Sequence, residues 1–314
     1  MVRHFRLLCF ALFIVLILAV HTVQGQVAVP AFAPASPKLL VPGLTVPDAT
    51  LAPENPAANH WGAPARFGLG QIAAELKQEV TLGTDVERDF DGIYAGFRWV
   101  TEAFSLSVEA IDVDSSDGAY DARVTNAALS LLAADFLAVG LGLDTSEIEL
   151  SGTSDSRETP LLGVSVSLDE RFFIGLAFGR EYLDRSGGGS SFTSDRAVQK
   201  VGLGFRQGQG PTNIHLEYFV VTRDPHETGA GVEFEDSELQ TIVVEAIWRS
   251  ILLAGSVVSF DIDNVEGTTT VIDVGWAPKE GLALLGHFET TEAEDAANDI
   301  TEVTTTAVSI AYQF

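Results

Sequence analysis

Val308-Ser309-Ile310-Ala311-Tyr312-Gln313-Phe314 ends the sequence, and its reading decides the fold. In extended backbone successive side chains point to opposite faces. Val308, Ile310, Tyr312 and Phe314 therefore share one apolar face, while Ser309, Ala311 and Gln313 share the other. The stretch reads as an amphipathic strand that runs to a final aromatic residue.

The same period recurs upstream. Ile214, Leu216, Tyr218 and Val220 alternate with His215, Glu217 and Phe219; Ile93, Ala95, Phe97 and Trp99 alternate with Tyr94, Gly96 and Arg98. Read this way, the chain after about Arg66 predicts strands near 66–76, 90–100, 103–112, 121–132, 136–146, 159–168, 171–182, 196–206, 212–222, 239–249, 251–261, 268–277, 282–290 and 302–314. Each is close to the ~9–11 residues with which a tilted strand crosses a bilayer. The expected class is all-β: a transmembrane antiparallel up-and-down barrel of about 14 strands, preceded by a Pro-rich extension.

Connections and charges support that class. Short turns (133–135, 169–170, 207–211, 249–250, 278–281) alternate with long acidic ones (113–120, 147–158, 183–195, 224–238, 291–301), as in barrels with one short-turned rim. Trp99, Phe104, Phe136, Phe172, Phe173, Trp248 and Trp276 sit near strand ends, where interfacial aromatic girdles lie. The formal charge is −26, yet 46% of residues are apolar and 19 are Phe. So acidic a chain is not expected to bind nucleic acid, and its acids must be segregated from its apolar surface.

The N-terminus supplies an export route. Arg3 and Arg6 precede an apolar run from Leu7 to Val20, followed by small or neutral residues to Gly25. Residues 1–25 thus read as a signal peptide cut before Gln26; the run is too short for a spanning helix. Cys9 lies within it, so the mature chain has no cysteine for disulfides, thiolate catalysis or metal binding. Residues 26–65 hold eight of the twelve prolines, which favours extended chain over helix or central strand. They are expected to form a periplasmic leader or a lumen plug, with residues 66–314 as the barrel.

Opposite the apolar faces lie Arg98, Ser105, Ser107, Glu109, Lys200, Arg206, His215, Glu217, Glu245, Arg249 and Asp273. Charges within a membrane-spanning wall require water or partners, so the ionisable residues of this set are expected to line a pore or to brace it. Gly140, Gly142, Gly175, Gly179, Gly202 and Gly204 on inner faces predict open volume. Catalysis has little support: His60, His215, His226 and His287 come with neither a Gly-x-Ser-x-Gly turn nor a His-Glu-x-x-His motif. The segments after Asp112 and Asp261 resemble calcium loops, but glycine or glutamate is misplaced; no metal or other cofactor is expected.

The closing strand and its terminal Phe314 resemble those of bacterial outer-membrane barrels, which implies that Tyr312 and Phe314 form the signal read by the barrel-assembly machinery. Asn55-Pro56-Ala57-Ala58, followed by Trp61-Gly62, is similar to the Asn-Pro-Ala segment before strand one in the fatty-acid and hydrocarbon transport family. That resemblance implies fourteen strands and an N-terminal hatch; the length fits a small monomeric porin as well. The expectation is a Gram-negative outer-membrane channel, contacting lipid and lipopolysaccharide, that passes small solutes with a cation preference. A plugged channel for hydrophobic compounds and a non-conducting structural or adhesive barrel are the alternatives. A monomer is expected.

Overall fold

The computed structural model describes residues 55–57 and, from 66 to 313, the strands with some of the residues that join them. Fourteen antiparallel strands close into one barrel. They are β1 (Arg66–Glu79), β2 (Val86–Val100), β3 (Phe104–Ser115), β4 (Tyr120–Ala134), β5 (Leu137–Leu150), β6 (Thr153–Leu168) and β7 (Phe172–Gly187). The second half comprises β8 (Ser190–Gln207), β9 (Thr212–Arg223), β10 (Ser237–Trp248), β11 (Ile251–Ile262), β12 (Val265–Trp276), β13 (Gly281–Asp295) and β14 (Ile300–Gln313). Each strand pairs with its sequence neighbours, and β14 closes on β1 with Gln313 opposite Arg66. Closure satisfies every edge, which a sheet inside lipid requires.

All fourteen expected strands are present, but several are longer than their apolar alternation. β6 begins at Thr153 and β8 at Ser190, so most of 147–158 and 183–195 is strand rather than loop. The connection 224–236 still separates β9 from β10, and it carries its own pairing of His226–Glu227 with Glu233–Phe234. The physical reason is that a ladder, once registered, keeps pairing its backbone beyond the membrane. There both faces are polar and no hydrophobic period marks the strand.

Apolar residues cover the outer face of the lower barrel. On β7 the outward series runs Phe172, Ile174, Leu176 and Phe178, then turns polar at the exposed Arg180. On β8 it runs Phe205, Leu203 and Val201, then reaches Gln199. Phe67, Trp99, Phe104, Phe136, Phe172, Trp248, Trp276 and Tyr312 are exposed around the rim that holds both barrel termini. This terminal rim carries an aromatic girdle of the interfacial kind. Phe173 is the exception among the residues expected there: it is buried and faces inward.

Within β6, Pro160 has no N–H to give, and the β6–β7 ladder skips from Glu158–Tyr182 to Leu161–Gly179. Gly179 sits directly beside this gap, where a Cβ would collide with the Pro160 carbonyl.

Candidate functional site

The inner wall concentrates ionisable groups that strand parity turns away from lipid. Arg98, Glu109, Lys200, His215, Glu217, Glu245 and Asp273 are all buried on inner faces. Arg206 is a β8 residue opposite His215, with its side chain outside the described residues; Arg249 and Phe314 also lie outside them. Register gathers several of these residues into one cross-strand row. Arg206 faces His215, His215 faces Glu245, Glu245 faces Ala254, Ala254 faces Asp273, and Asp273 faces His287. Arg98 and Glu109, on β2 and β3, lie half-way round the barrel from this row.

Two histidines sit among carboxylates there. His287 Nδ1 is 2.7 Å from Asp273 Oδ1, and its Nε2 is 3.5 Å from Glu289 Oε2. His215 Nε2 lies 3.5 Å from Glu217 Oε2. Lys200 Nζ meets Asp144 Oδ2 at 3.5 Å. Lys200, His215, Glu217 and Asp273 are thus tied into the wall by ionic contacts, as buried charge requires.

Above the apolar belt a second cluster occupies the inner faces of β6–β9. Arg196 Nε donates to Glu181 Oε1 at 2.7 Å, and Arg223 Nε lies 3.3 Å from Glu181 Oε2. Burial would raise the Glu181 carboxyl, but the guanidiniums of Arg223, Arg196 and Arg157 outweigh it and hold it at about 2. Arg185 forms a bidentate pair with Asp155 beside them. Sequence reasoning missed this cluster because 147–158 and 183–195 read as loops. Parity was the available signal: Asp155 and Arg157 continue the odd-numbered inner series of Leu161, Gly163 and Ser165.

The inner glycines do not simply leave open volume. Residues 55–57 fill space beside three of the barrel's inner-facing glycines. Asn55 Nδ2 donates to the Val164 carbonyl at 3.0 Å, while the Ala57 amide donates back to Asn55 Oδ1 at 2.9 Å. A Cβ on Gly140 would lie 2.5 Å from Ala57 N, one on Gly142 3.2 Å from Pro56 Cβ, and one on Gly163 would overlap Asn55 Oδ1. Glycine is required at Gly140 and Gly163 because backbone and side chain of the inner segment come within contact. The inner wall also carries an apolar patch among its serines and threonines: Ile72, Phe90, Tyr94, Ile111, Val198, Phe219, Val221 and Val243 belong to one buried cluster.

The acids near the suggested calcium loop also come together. Carboxylate oxygens of Asp112, Asp114 and Asp121 lie within 4.8 Å of one another, and Arg123 Nη2 already contacts Asp112 at 3.2 Å.

No protein-family model matches the chain, and no curated protein matches it. Solved structures do. The toluene transporter TodX of Pseudomonas putida aligns with a TM-score of 0.52 at 10% identity, over 83% of this chain and 92% of its own. The monoaromatic hydrocarbon channel CymD aligns at 0.53 and 11% identity, over 83% and 91%. A FadL homologue of Pseudomonas aeruginosa aligns at 0.52 and 8% identity, over 83% and 93%. This chain has the fold of an outer-membrane β-barrel. At such identities the likeness establishes the fold, which is shared with hydrocarbon channels, and leaves the solute to be argued from the inner wall.

Proposed function

We propose that the protein is a plugged outer-membrane channel for small solutes with apolar surface. The observation that carries this reading is the burial of Asn55, Pro56 and Ala57 against Gly140, Gly142 and Gly163 inside the barrel. An open pore has no use for glycines that admit a second segment. The apolar cluster around Tyr94, Phe219 and Val243 favours a solute that buries carbon rather than a hydrated ion. The hydrocarbon channels that share the fold are consistent with that choice. In this reading residues 1–25 direct export, residues 26–65 form the plug, and the terminal rim faces the periplasm. Arg98, Glu109, Lys200, Arg206, His215, Glu217, Glu245, Arg249 and Asp273 flank the route, and the protein acts as a monomer. Lipopolysaccharide meets its far rim, and the assembly machinery reads Tyr312 and Phe314.

Planar-bilayer recording of the full chain and of a variant lacking residues 26–60 tests this. Silence or brief openings that become sustained on deletion support the plug. Sustained cation-selective steps from the full chain would favour the rival open porin with an acidic rim. Silence from both proteins, with no toluene uptake into proteoliposomes, would leave a structural barrel.

A further inference from the structure

The cluster above the belt holds more positive charge than its own acids neutralise. Among the described residues, Arg157, Arg185, Arg196, Lys200 and Arg223 stand on the inner wall of β6–β9, while Asp144, Asp155 and Glu181 are the acids that meet them. Five bases against three acids leave a local excess in a chain whose formal charge is −26. Arg185 and Lys200 each have a carboxylate of their own, Asp155 and Asp144. Glu181 is the acid that Arg157, Arg196 and Arg223 share, with Asp155 a weaker influence on Arg157.

One carboxylate cannot satisfy three forks. Arg196 takes Oε1 with a short, direct hydrogen bond. Arg223 Nε reaches only ionic distance from Oε2, and Arg223 Nε and Nη1 are buried without a hydrogen-bond partner. Arg157 Nε is buried and unpartnered as well. A buried donor left unmade costs roughly 1–3 kcal/mol, and here three such guanidinium atoms gather around one carboxylate, where an added oxyanion would satisfy them together. The forked donors of arginine match planar or tetrahedral oxyanions. Access exists from inside: Arg223 keeps 21% of its side-chain surface open and Arg196 keeps 10%. The β8 and β9 inner faces beneath the cluster are apolar at Val198 and Val221.

We propose that Arg157 and Arg223, positioned by Glu181 and Arg196, form an oxyanion-binding site on the inner wall of the far mouth. Its ligand is the carboxylate or phosphate group of a solute entering the barrel. The unpartnered N–H groups donate to the anion, and Arg196 stays on Glu181. Glu181 acts as an internal competitor: it keeps the arginines ordered when the site is empty and weakens anion binding by its own charge.

The test uses the full chain in an uncharged maltoside detergent, so it does not depend on transport or on the plug. Equilibrium dialysis with labelled benzoate, and separately with inorganic phosphate, is run at constant ionic strength. Saturable binding is expected, weakened about tenfold or more in the double variant R157Q/R223Q, as loss of charge-assisted hydrogen bonds implies. Arg180 lies on the outer face, so R180Q should leave binding unchanged. E181Q should tighten binding several-fold; a merely structural Glu181 would give no gain. Heat-modifiable gel migration checks folding, and if R157Q/R223Q fails to fold, E181Q decides alone. Benzoate binding without phosphate competition assigns a carboxylate, and mutual competition assigns oxyanions generally. Equal affinity in wild type and a folded R157Q/R223Q, no tightening in E181Q, or no saturable binding in wild type would overturn the proposal.

Discussion

Asn55 and Val164 are joined by a hydrogen bond of 3.0 Å from the Asn55 side-chain amide to the Val164 carbonyl, bridging the inner segment to strand β6. The same side chain accepts from the Ala57 amide, so one residue both shapes the turn and docks it.

Asn55→Ala should therefore release the segment. It removes two hydrogen bonds in a buried setting, a loss of roughly 1–3 kcal/mol. Open time in planar bilayers should rise, and protease should cut within 26–60 more readily. Gly140→Val should do the same by steric exclusion, since its Cβ would sit 2.5 Å from Ala57 N. Unchanged open time and unchanged proteolysis in both variants would show that the contact does not hold a plug.

Ser250 takes φ 81° in the turn between β10 and β11. A side chain is strained there and glycine is not. Ser250→Gly should raise stability by up to about 1 kcal/mol, and Ser250→Val should lower it. Urea midpoints in detergent report both, and a lower midpoint for the glycine variant would refute the strain argument.

His287→Leu should destabilise the barrel by about 3 kcal/mol, because it strips the buried Asp273 carboxylate of its 2.7 Å partner. Adding Asp273→Leu should recover most of that loss, since an apolar pair leaves no uncompensated charge. A double variant as unstable as the single one would mean that the pair itself, rather than the orphaned charge, sets the cost.

Glu181 links stability to acid. Its folded carboxyl titrates near 2, below the ordinary value of 4.5, so its ionised form is favoured in the folded state. That contribution is complete above about pH 4.5 and is lost as pH falls through about 2. The stability gap between wild type and E181Q should shrink over that window and stay constant from pH 5 to 7. Parallel curves down to pH 2 would contradict the assignment.

Tyr312 faces outward at the terminal rim, between Phe67 of β1 and Leu282 of β13. Tyr312→Asp puts a charge where strands meet lipid, and deletion of Phe314 removes the expected assembly signal. Both should lower the amount of heat-modifiable barrel in outer membranes while leaving export intact. Surface amounts equal to wild type would show that neither residue guides assembly.

The barrel itself was legible in the chain. Alternation such as Ile214 to Val220 states which residues meet lipid, because period 2 is a local property of extended backbone. It correctly put Arg98, Lys200, His215 and Asp273 on the inner face. Where the strands leave the membrane that signal ends, which is why Asp155, Arg157 and Arg185 were hidden in apparent loops. Partnership was never local. His287 joins Asp273, and Arg223 joins Glu181 across β8, only because register and closure fix which strands are neighbours. The glycines show the same division: the sequence alone marks Gly140 and Gly142 as inner positions without side chains. Only the folded chain, by bringing Pro56 and Ala57 against them, decides that the space they leave is filled.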